Sequence, residues 1–314
     1  MRLLVVVIAG CGFTPGTLLT DGASGADNAT DGPQDATSQT CYAQWIDHTV
    51  RLQSPQPLST LNIVGGYERD PFLTDDELTI YFSTDRSGVT DVWTATRGNM
   101  TDQFAAVMEA SAFNSTAGES KLSITQNGLT AVVGSDRVGG AGGLDVWEST
   151  RATTSELFPA MSRTKVMMVE TSGNDHDPTI SASGLHLYLA PDATGSQHIV
   201  MASRSSPGGN FGVPMTLAEL DSGTGDADPS PTPDERIIVF SSNRSTPFVT
   251  AGGNIWYATR AGSTGAFEMP RPVPDVNTDA AEGDPHLSAD GCRLYFARFG
   301  GTGVDWDLYV SAVQ

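Results

Sequence analysis

Five copies of one sequence phrase recur along this chain, with starts 50 to 57 residues apart. Each copy joins an Asp-Pro-x-x-(Ser/Thr) stretch to an apolar run and then to an Asp-x-Trp-like run that ends near Ala-Thr-Arg. The copies begin at Asp70, Ser120, Asp177, Asp228 and Asp284. A repeat of this length indicates an array of supersecondary units, each burying its apolar face against its neighbours. The repeat therefore constrains the architecture far more than the activity.

Two spacings are fixed inside four of the copies. A Trp-like position precedes an Arg by four residues, and that Arg precedes a Phe by seven. The four sets are Trp93, Arg97 and Phe104; Trp147, Arg151 and Phe158; Val200, Arg204 and Phe211; and Trp256, Arg260 and Phe267. The Trp and Phe positions are expected to pack between neighbouring units. Extra residues fall in Gly-rich stretches at 139–143 and 251–253, so the length variation marks loops.

The pattern within one copy predicts strands. Residues 78–83 and 236–241 are short runs of β-branched and aromatic side chains, which central strands favour. A third strand follows around Trp93. A fourth is predicted at 211–217, where a proline suits an edge position. No long stretch has a helical period. A four-stranded unit repeated around an axis is a β-propeller blade, so the predicted fold class is all-β.

Three stretches also carry a family resemblance. Residues 70–74, 81–86 and 284–291 resemble the WD40-like, TolB-type propeller repeats of bacterial envelope proteins, and the likeness covers roughly residues 65–314. It implies a propeller but leaves the function open, because one propeller scaffold hosts many activities. Two departures stand out: Lys121 replaces the proline of the second copy, and Val200 replaces the tryptophan of the third.

Five blades are predicted, with six as the alternative that the family resemblance implies. The segment between Cys41 and Asp70 is too short for another blade, and the fifth copy has no fourth strand after Tyr309. Propellers commonly close by pairing a terminal strand with the blade at the other end, which hides an exposed edge. Residues 48–60 are therefore expected to supply the missing strand.

The cysteines agree with this closure. Cys41 precedes the proposed closing strand and Cys292 lies in the last copy, so a disulfide between them would tie the ring shut. In the chain-entropy model, a disulfide that closes such a long loop stabilises the folded protein by several kcal/mol. Two unpaired, buried thiols are the alternative. The disulfide requires an oxidising compartment.

The third cysteine lies near the N-terminus. Residues 3–8 form a short apolar run, and the stretch ending at Cys11 resembles a bacterial lipoprotein processing site. We therefore expect a signal peptide at 1–10, a lipid anchor on Cys11 with a disordered linker at 11–40, and the propeller at 41–314. An ordinary cleaved signal or a different start codon is the alternative. The expected location is the cell envelope, as an outer-membrane lipoprotein on the periplasmic or surface face.

The charge excludes some partners. The chain carries 17 basic and 37 acidic residues, for a net charge of −20. Nucleic acid and anionic lipid both require a cationic surface, so neither is expected as a partner. Contact with the membrane is expected through the lipid anchor only, and the protein is expected to be a monomer.

Nine carboxylates stand at or just before the proline position of the repeats. In four of the five copies two of them are spaced i, i+2, which in an extended chain puts both on one face. They are Glu68 and Asp70; Glu119; Asp175 and Asp177; Asp226 and Asp228; and Glu282 and Asp284. We predict that they converge at one mouth of the axial channel. Like charges so placed raise one another's pKa unless a cation neutralises them.

Three interpretations of this candidate ring stay open. Each Asp could satisfy backbone donors at a tight turn. The ring could bind a cation, with Ca²⁺ or Mg²⁺ favoured by oxygen ligands. It could also serve catalysis, since five-bladed glycosidases set carboxylates around a central pocket. Near-equivalent carboxylates in every copy disfavour catalysis, which needs two carboxylates in distinct environments.

The remaining polar residues give weaker signals. Arg86, Arg137 and Arg244 are expected to pair with Asp91 or Asp145, and His176 and His286 are expected at the rim of the ring. No catalytic or phosphate-binding motif is present. The sequence thus predicts a non-enzymatic, lipid-anchored envelope propeller that binds a protein, peptide or glycan without a cofactor. A glycosidase and a Ca²⁺-binding envelope protein are the alternatives.

Overall fold

The predicted five-bladed propeller is confirmed. The computed structural model describes residues 33–159, 164–192, 195–245, 253–300 and 305–314. These residues form five four-stranded antiparallel sheets. The first strand of each sheet packs against the first strands of both neighbouring sheets, so these strands surround the axis.

Four blades are built from consecutive strands. Blade 1 contains β2 (Arg69–Leu73), β3 (Thr79–Thr84), β4 (Asp91–Thr96) and β5 (Ala105–Glu109). Blade 2 contains β6 (Glu119–Ile124), β7 (Thr130–Ser135), β8 (Asp145–Thr150) and β9 (Thr164–Lys165). A 3-10 helix (Met167–Val169) leads to blade 3, with β10 (Asp175–Ile180), β11 (His186–Pro191), β12 (Val200–Ser203) and β13 (Met215–Thr216). Blade 4 contains β14 (Asp226–Pro231), β15 (Ile237–Ser242), β16 (Asn254–Thr259) and β17 (Arg271–Pro272).

Blade 5 is closed by the N-terminal part of the chain, as the sequence predicts. Its strands are β18 (Glu282–Leu287), β19 (Arg293–Phe299), β20 (Trp306–Ala312) and β1 (Gln56–Pro57). In β1, Gln56 and Pro57 lie opposite Val310 and Tyr309 of β20. The edge of the last blade is therefore covered by a strand from the other end of the chain.

The apolar core lies between the blades. Each of five clusters combines buried side chains from two neighbouring blades. The predicted Phe positions are buried, and in each case the preceding Arg covers the ring at 4.3–4.5 Å from its centroid: Arg97 over Phe104, Arg151 over Phe158, Arg204 over Phe211 and Arg260 over Phe267. This cation–π contact explains the fixed spacing of seven residues between them.

A helix precedes the propeller, although the sequence has no helical period there. Helix α1 (Pro33–Ile46) begins inside the segment expected to be a linker. Its Trp45 is fully buried, and the indole N–H donates to the carbonyl of Gly291 at 2.9 Å. In the other blades the repeat arginine donates to the equivalent carbonyl, for example Arg260 to Glu235 at 2.6 Å. Trp45 thus supplies the donor that blade 5 lacks.

The predicted disulfide is present. Cys41 in α1 is bonded to Cys292, which lies in the turn between β18 and β19, with 5.0 Å between their Cα atoms. The bond fixes α1 to the last blade. Among the described residues, no helix is both long and apolar enough to cross a membrane. Residues 1–32, including Cys11 and the expected signal peptide, lie outside the described part of the chain.

Candidate axial binding site

The structure divides the nine predicted carboxylates into two groups. The outer carboxylates are the first member of each pair: Glu68, Glu119, Asp175, Asp226 and Glu282. The inner ring is the position two residues later, occupied by Asp70, Lys121, Asp177, Asp228 and Asp284. Lys121 therefore stands at the Asp position of the second copy and Leu122 at the proline position, so the prediction that Lys121 replaces the proline is wrong. All five ring residues have φ between 45° and 58°. This left-handed residue sits in a β-bulge in each first strand, so the simple alternation of an extended chain does not hold there.

The outer carboxylates are held inside their own blades. Glu68 is fully buried and accepts hydrogen bonds from the Thr84 hydroxyl at 2.8 Å, the Arg86 guanidinium at 3.2 Å and the Ile63 backbone N–H at 3.1 Å. The same arrangement holds Glu119 with Arg137, Asp226 with Arg244 and Glu282 with Arg298. These four carboxylates therefore have a structural role.

The predicted partners of the turn arginines are wrong. Arg86, Arg137 and Arg244 pair with the outer carboxylates rather than with Asp91 or Asp145. Asp91 accepts from Ser87 and Asp145 from the backbone of Ala141, so both have local partners. The arginines reach back along the blade because their guanidinium groups also cover a tryptophan, at 5.0–5.2 Å from the ring centroid: Arg86 over Trp93, Arg137 over Trp147 and Arg244 over Trp256.

Blade 3 lacks this arrangement. Pro191 stands opposite Asp175, where the other consecutive blades have a hydroxyl, and Val200 replaces the tryptophan. Asp175 accepts a hydrogen bond from the Thr171 backbone N–H at 3.0 Å, and its Oδ1 has no hydrogen-bond partner among the described residues. Burial raises the pKa of Asp175. Among the described residues, Asp175 is thus the outer carboxylate without an arginine partner.

The ring carboxylates connect neighbouring blades. Oδ2 of Asp70 accepts from the Lys121 backbone N–H at 3.2 Å, Oδ2 of Asp177 from the Asp228 N–H at 3.3 Å, and Oδ2 of Asp228 from the Asp284 N–H at 3.1 Å. These bonds agree with the interpretation that each Asp satisfies backbone donors. The donors belong to the next blade rather than to a local turn.

Asp284 closes the ring through a side chain of blade 1. Arg69 donates to both of its carboxylate oxygens, from Nε at 2.5 Å and from Nη2 at 2.9 Å. The guanidinium of Arg69 lies over the ring of Trp306, 4.6 Å from the centroid. Blade 5 is therefore joined to blade 1 by a bidentate ion pair, which fixes geometry as well as charge.

The ring carboxyl groups differ in their pKa values. Burial, together with the neighbouring charge of Asp228, raises the pKa of Asp177 well above its ordinary value. Burial likewise raises the pKa of Asp284. Burial also opposes ionisation of Asp228, but the positive charges of Arg69 and Lys121 outweigh it and lower the pKa of that carboxyl. The ring thus has carboxyl groups with opposite preferences for the proton.

A cavity of about 700 Å³ opens on one side of the ring. Its floor includes Asp70, Asp177 and Asp228. Further polar and aromatic side chains line its walls: Tyr67, Arg69, His176, Asp192, Gln197, Asn243 and Trp306. The cavity therefore presents hydrogen-bond acceptors and donors beside aromatic surface.

The two histidines lie on different cavities of the axis. His176 lines the large cavity, and its Nε2 lies 3.3 Å from Asp192. His286 lines a second cavity of about 50 Å³, where its Nε2 accepts from the Leu73 backbone N–H at 3.3 Å. Burial and the positive charge of Lys121 lower the pKa of His286 to about 3. His286 is therefore neutral at pH 7, and it is half-buried against the second cavity.

Three ring carboxylates are close enough to share one cation. Asp70, Asp228 and Asp284 are buried, and one oxygen of each lies within 4.8 Å of the others. Oxygen ligands in this arrangement suit Ca²⁺ or Mg²⁺. Arg69 already acts on Asp228 and Asp284, and Lys121 acts on Asp228. Binding of Ca²⁺ stays a prediction.

Comparison with known proteins supports the fold alone. No protein-family model matches the chain, and no curated protein matches it. An α-L-arabinofuranosidase from Podospora anserina is similar with a TM-score of 0.54 and 11% identity, over 82% of this chain and 95% of that one. A thermostable family-43 glycoside hydrolase gives 0.53 and 13%, over 79% and 93%. A family-117 glycoside hydrolase from Zobellia galactanivorans gives 0.52 and 13%, over 84% and 90%.

TolB from Acinetobacter baumannii has a TM-score of 0.46 and 12% identity, over 79% of this chain and 54% of TolB. The chain thus spans about half of that protein. At such identities the comparisons show the fold alone, the β-propeller, which several glycoside hydrolases share.

Proposed function

We propose that this protein is a non-enzymatic binding protein that holds the end of a glycan in its axial cavity. The observation that carries the proposal is the lining of the cavity, where the carboxylates of Asp70, Asp177 and Asp228 stand beside the guanidinium of Arg69. A sugar hydroxyl both donates and accepts, so it satisfies both kinds of group at once. The cavity volume lies within the range of sites for small ligands.

The aromatic walls favour a sugar over a peptide end. Tyr67 and Trp306 border the same cavity, and aromatic side chains that line a site can pack against the C–H face of a pyranose. The ring carboxylates also accept backbone hydrogen bonds from neighbouring blades, so they are fixed in position before a ligand arrives. Such preorganisation reduces the entropy that binding costs.

The test is a glycan-array screen followed by titration calorimetry with the sugars retained. His176→Ala and Asn243→Ala remove polar groups from the cavity wall, and we expect each to weaken binding by about tenfold, or about 1.4 kcal/mol. Met215→Ala, on the exposed edge of blade 3, is the control and should bind as the wild type does. Equal affinities for all these proteins would place the sugar elsewhere and overturn the proposal.

A glycoside hydrolase is the second candidate. It is favoured by the opposite pKa displacements of Asp177 and Asp228, because acid–base pairs in glycosidases are tuned in this way. The assay is release of nitrophenol from aryl glycosides by the purified protein. Turnover that disappears in Asp177→Asn would replace the binding proposal with the catalytic one.

We further propose that the protein is a monomer in the cell envelope, anchored to the outer membrane by lipid on Cys11. The disulfide between Cys41 and Cys292 supports an oxidising compartment. Metabolic labelling with palmitate tests the anchor. We expect label in the wild type and none in Cys11→Ser, and label in both proteins would contradict the assignment.

A further inference from the structure

Lys121 is the one basic residue at the ring position. Its side chain is almost wholly buried, with 3% of the residue exposed, and its backbone has a φ of 45°. Lysine is almost never fully buried unless it is paired, and it seldom adopts a left-handed backbone conformation. Both features are therefore unfavourable for this residue type. The four other blades have Asp at the same position.

The ammonium group of Lys121 has no direct partner. Its Nζ is buried and makes no hydrogen bond with any described residue. Its charge nevertheless favours the ionised forms of Asp177 and Asp228, and it disfavours protonation of His286. Lys121 therefore acts on two carboxyl groups of the ring, Asp177 and Asp228, rather than on one of them.

The ring holds more carboxyl groups than basic groups. Four carboxyl groups share the axis, and Arg69 is committed to Asp284 by its bidentate ion pair. Without Lys121 the ring would keep only that one basic group. Buried carboxylates without counter-charge are strongly unfavourable and either take up protons or recruit a metal.

We infer that the ammonium group of Lys121 is the resident cation of the inner ring and excludes Ca²⁺ from it. The oxygens of Asp70, Asp228 and Asp284 already converge within 4.8 Å, a geometry that a divalent ion can use. The lysine charge acts on Asp228, the member of this group that also accepts the Asp284 backbone N–H. A single substitution that removes the charge turns the ring into a Ca²⁺ site.

The first experiment compares Lys121→Met with the wild type. Methionine keeps an unbranched side chain of similar length but has no charge. Melting temperatures are measured by differential scanning calorimetry in 5 mM Ca²⁺ and in chelator. The wild type should melt at the same temperature in both, whereas the variant should melt at a higher temperature in Ca²⁺ than in chelator. Titration calorimetry should give the variant at least tenfold tighter Ca²⁺ binding than the wild type. A ring-dependent Ca²⁺ response of the wild type overturns the inference.

Two further variants test whether the response to Ca²⁺ depends on the charge at position 121 and on the ring carboxylates. Lys121→Arg keeps the charge and should stay insensitive to Ca²⁺, whereas Lys121→Met combined with Asp228→Asn should lose the acquired response. If Lys121→Met does not fold in chelator, recovery of folded protein on refolding with Ca²⁺ supports the inference. A variant that binds no Ca²⁺ when folded, or that fails to refold with Ca²⁺, contradicts it.

Discussion

The guanidinium group of Arg244 neutralises a carboxylate that has no access to water. Its Nη2 donates to Asp226 at 2.7 Å and its Nε donates to the Ser242 hydroxyl at 2.7 Å. The Asp226 side chain is fully buried. Loss of the arginine would leave an unpaired charge in the interior, which costs far more than loss of a surface ion pair.

We predict that Arg244→Ala lowers the free energy of unfolding by about 3 kcal/mol. Urea denaturation at pH 7 measures this loss. The control is Arg51→Ala, which removes an exposed ion pair with Asp275 and should cost less than about 1 kcal/mol. Similar losses in the two variants would contradict the structural role of the arginine.

The neighbouring residues Asp177 and Asp228 should affect stability with opposite pH dependence. A raised carboxyl pKa, as for Asp177, means that stability falls as pH rises from the ordinary value of about 4 toward the folded value. A lowered pKa, as for Asp228, means a contribution that is present above about pH 4 and is lost as pH falls below it.

We therefore predict that Asp177→Asn stabilises the protein at pH 7, because the amide oxygen can still accept the Asp228 N–H. Asp228→Asn should destabilise it there by about 3 kcal/mol, since it leaves Arg69 and Lys121 with one carboxylate fewer. Melting temperatures between pH 3 and pH 8 measure both effects, which should shrink toward acid pH. A stability change of the same sign in both variants would refute the account of the ring.

The ring could be predicted from sequence only in part. The recurrence of Asp before Pro predicts carboxylates at the axis, and Asp70, Asp177, Asp228 and Asp284 are there. The separation of the ring carboxylates from the outer carboxylates follows from a β-bulge with a positive φ in each first strand. A prediction from i, i+2 spacing assumes a regular extended strand and so misses it. The sequence of the third copy does indicate that its outer carboxylate lacks an arginine partner, because Val200 replaces the tryptophan and no arginine follows Asp192.

Helix α1 completes the last blade interface. Trp45 packs edge-on against Tyr257 of blade 4, with 5.1 Å between the ring centroids, and its N–H satisfies the Gly291 carbonyl of blade 5. The helix therefore supplies both apolar surface and a hydrogen-bond donor to the junction of blades 4 and 5.

We predict that Trp45→Ala lowers the free energy of unfolding by about 4 kcal/mol, because it leaves a large cavity in the core. Trp45→Phe keeps most of the packing and removes only the N–H donor, so it should cost about 1–2 kcal/mol. Chemical denaturation of both variants separates the two contributions. A loss for Trp45→Phe as large as that for Trp45→Ala would show that the packing account is wrong.

The strands could be predicted because their residues alternate or form short β-branched runs, whereas α1 could not. The apolar residues of α1 do not follow a helical period, since the helix contacts the propeller mainly through its C-terminal part around Trp45. Trp45 packs in a cluster formed by blades 4 and 5, a tertiary contact that a local sequence pattern does not show.

The closed ring depends on both ends of the chain. Strand β1 covers the edge of β20, and the disulfide joins residues 251 positions apart. The closure was predictable because the fifth copy visibly lacks its fourth strand. Which residues of β1 pair with β20 was not predictable, because the register between these strands depends on the loop that precedes β1.

We predict that Cys41→Ala combined with Cys292→Ala lowers the free energy of unfolding by up to about 5 kcal/mol, the value that the chain-entropy model gives for a long loop. Denaturation of the wild type with and without reductant should reproduce the loss. No change in stability, with the disulfide verified by mass spectrometry, would contradict its role in closure.

Glycan binding in the axial cavity without hydrolysis is the central claim, and saturation-transfer NMR tests it most directly. The intact protein is mixed with oligosaccharides from the glycan screen, and spectra are recorded at once and after a day. We predict transfer to one terminal sugar with the wild type and Met215→Ala, little transfer with His176→Ala, and no new reducing-end signals. New reducing-end signals, or transfer that His176→Ala leaves unchanged, would contradict the claim.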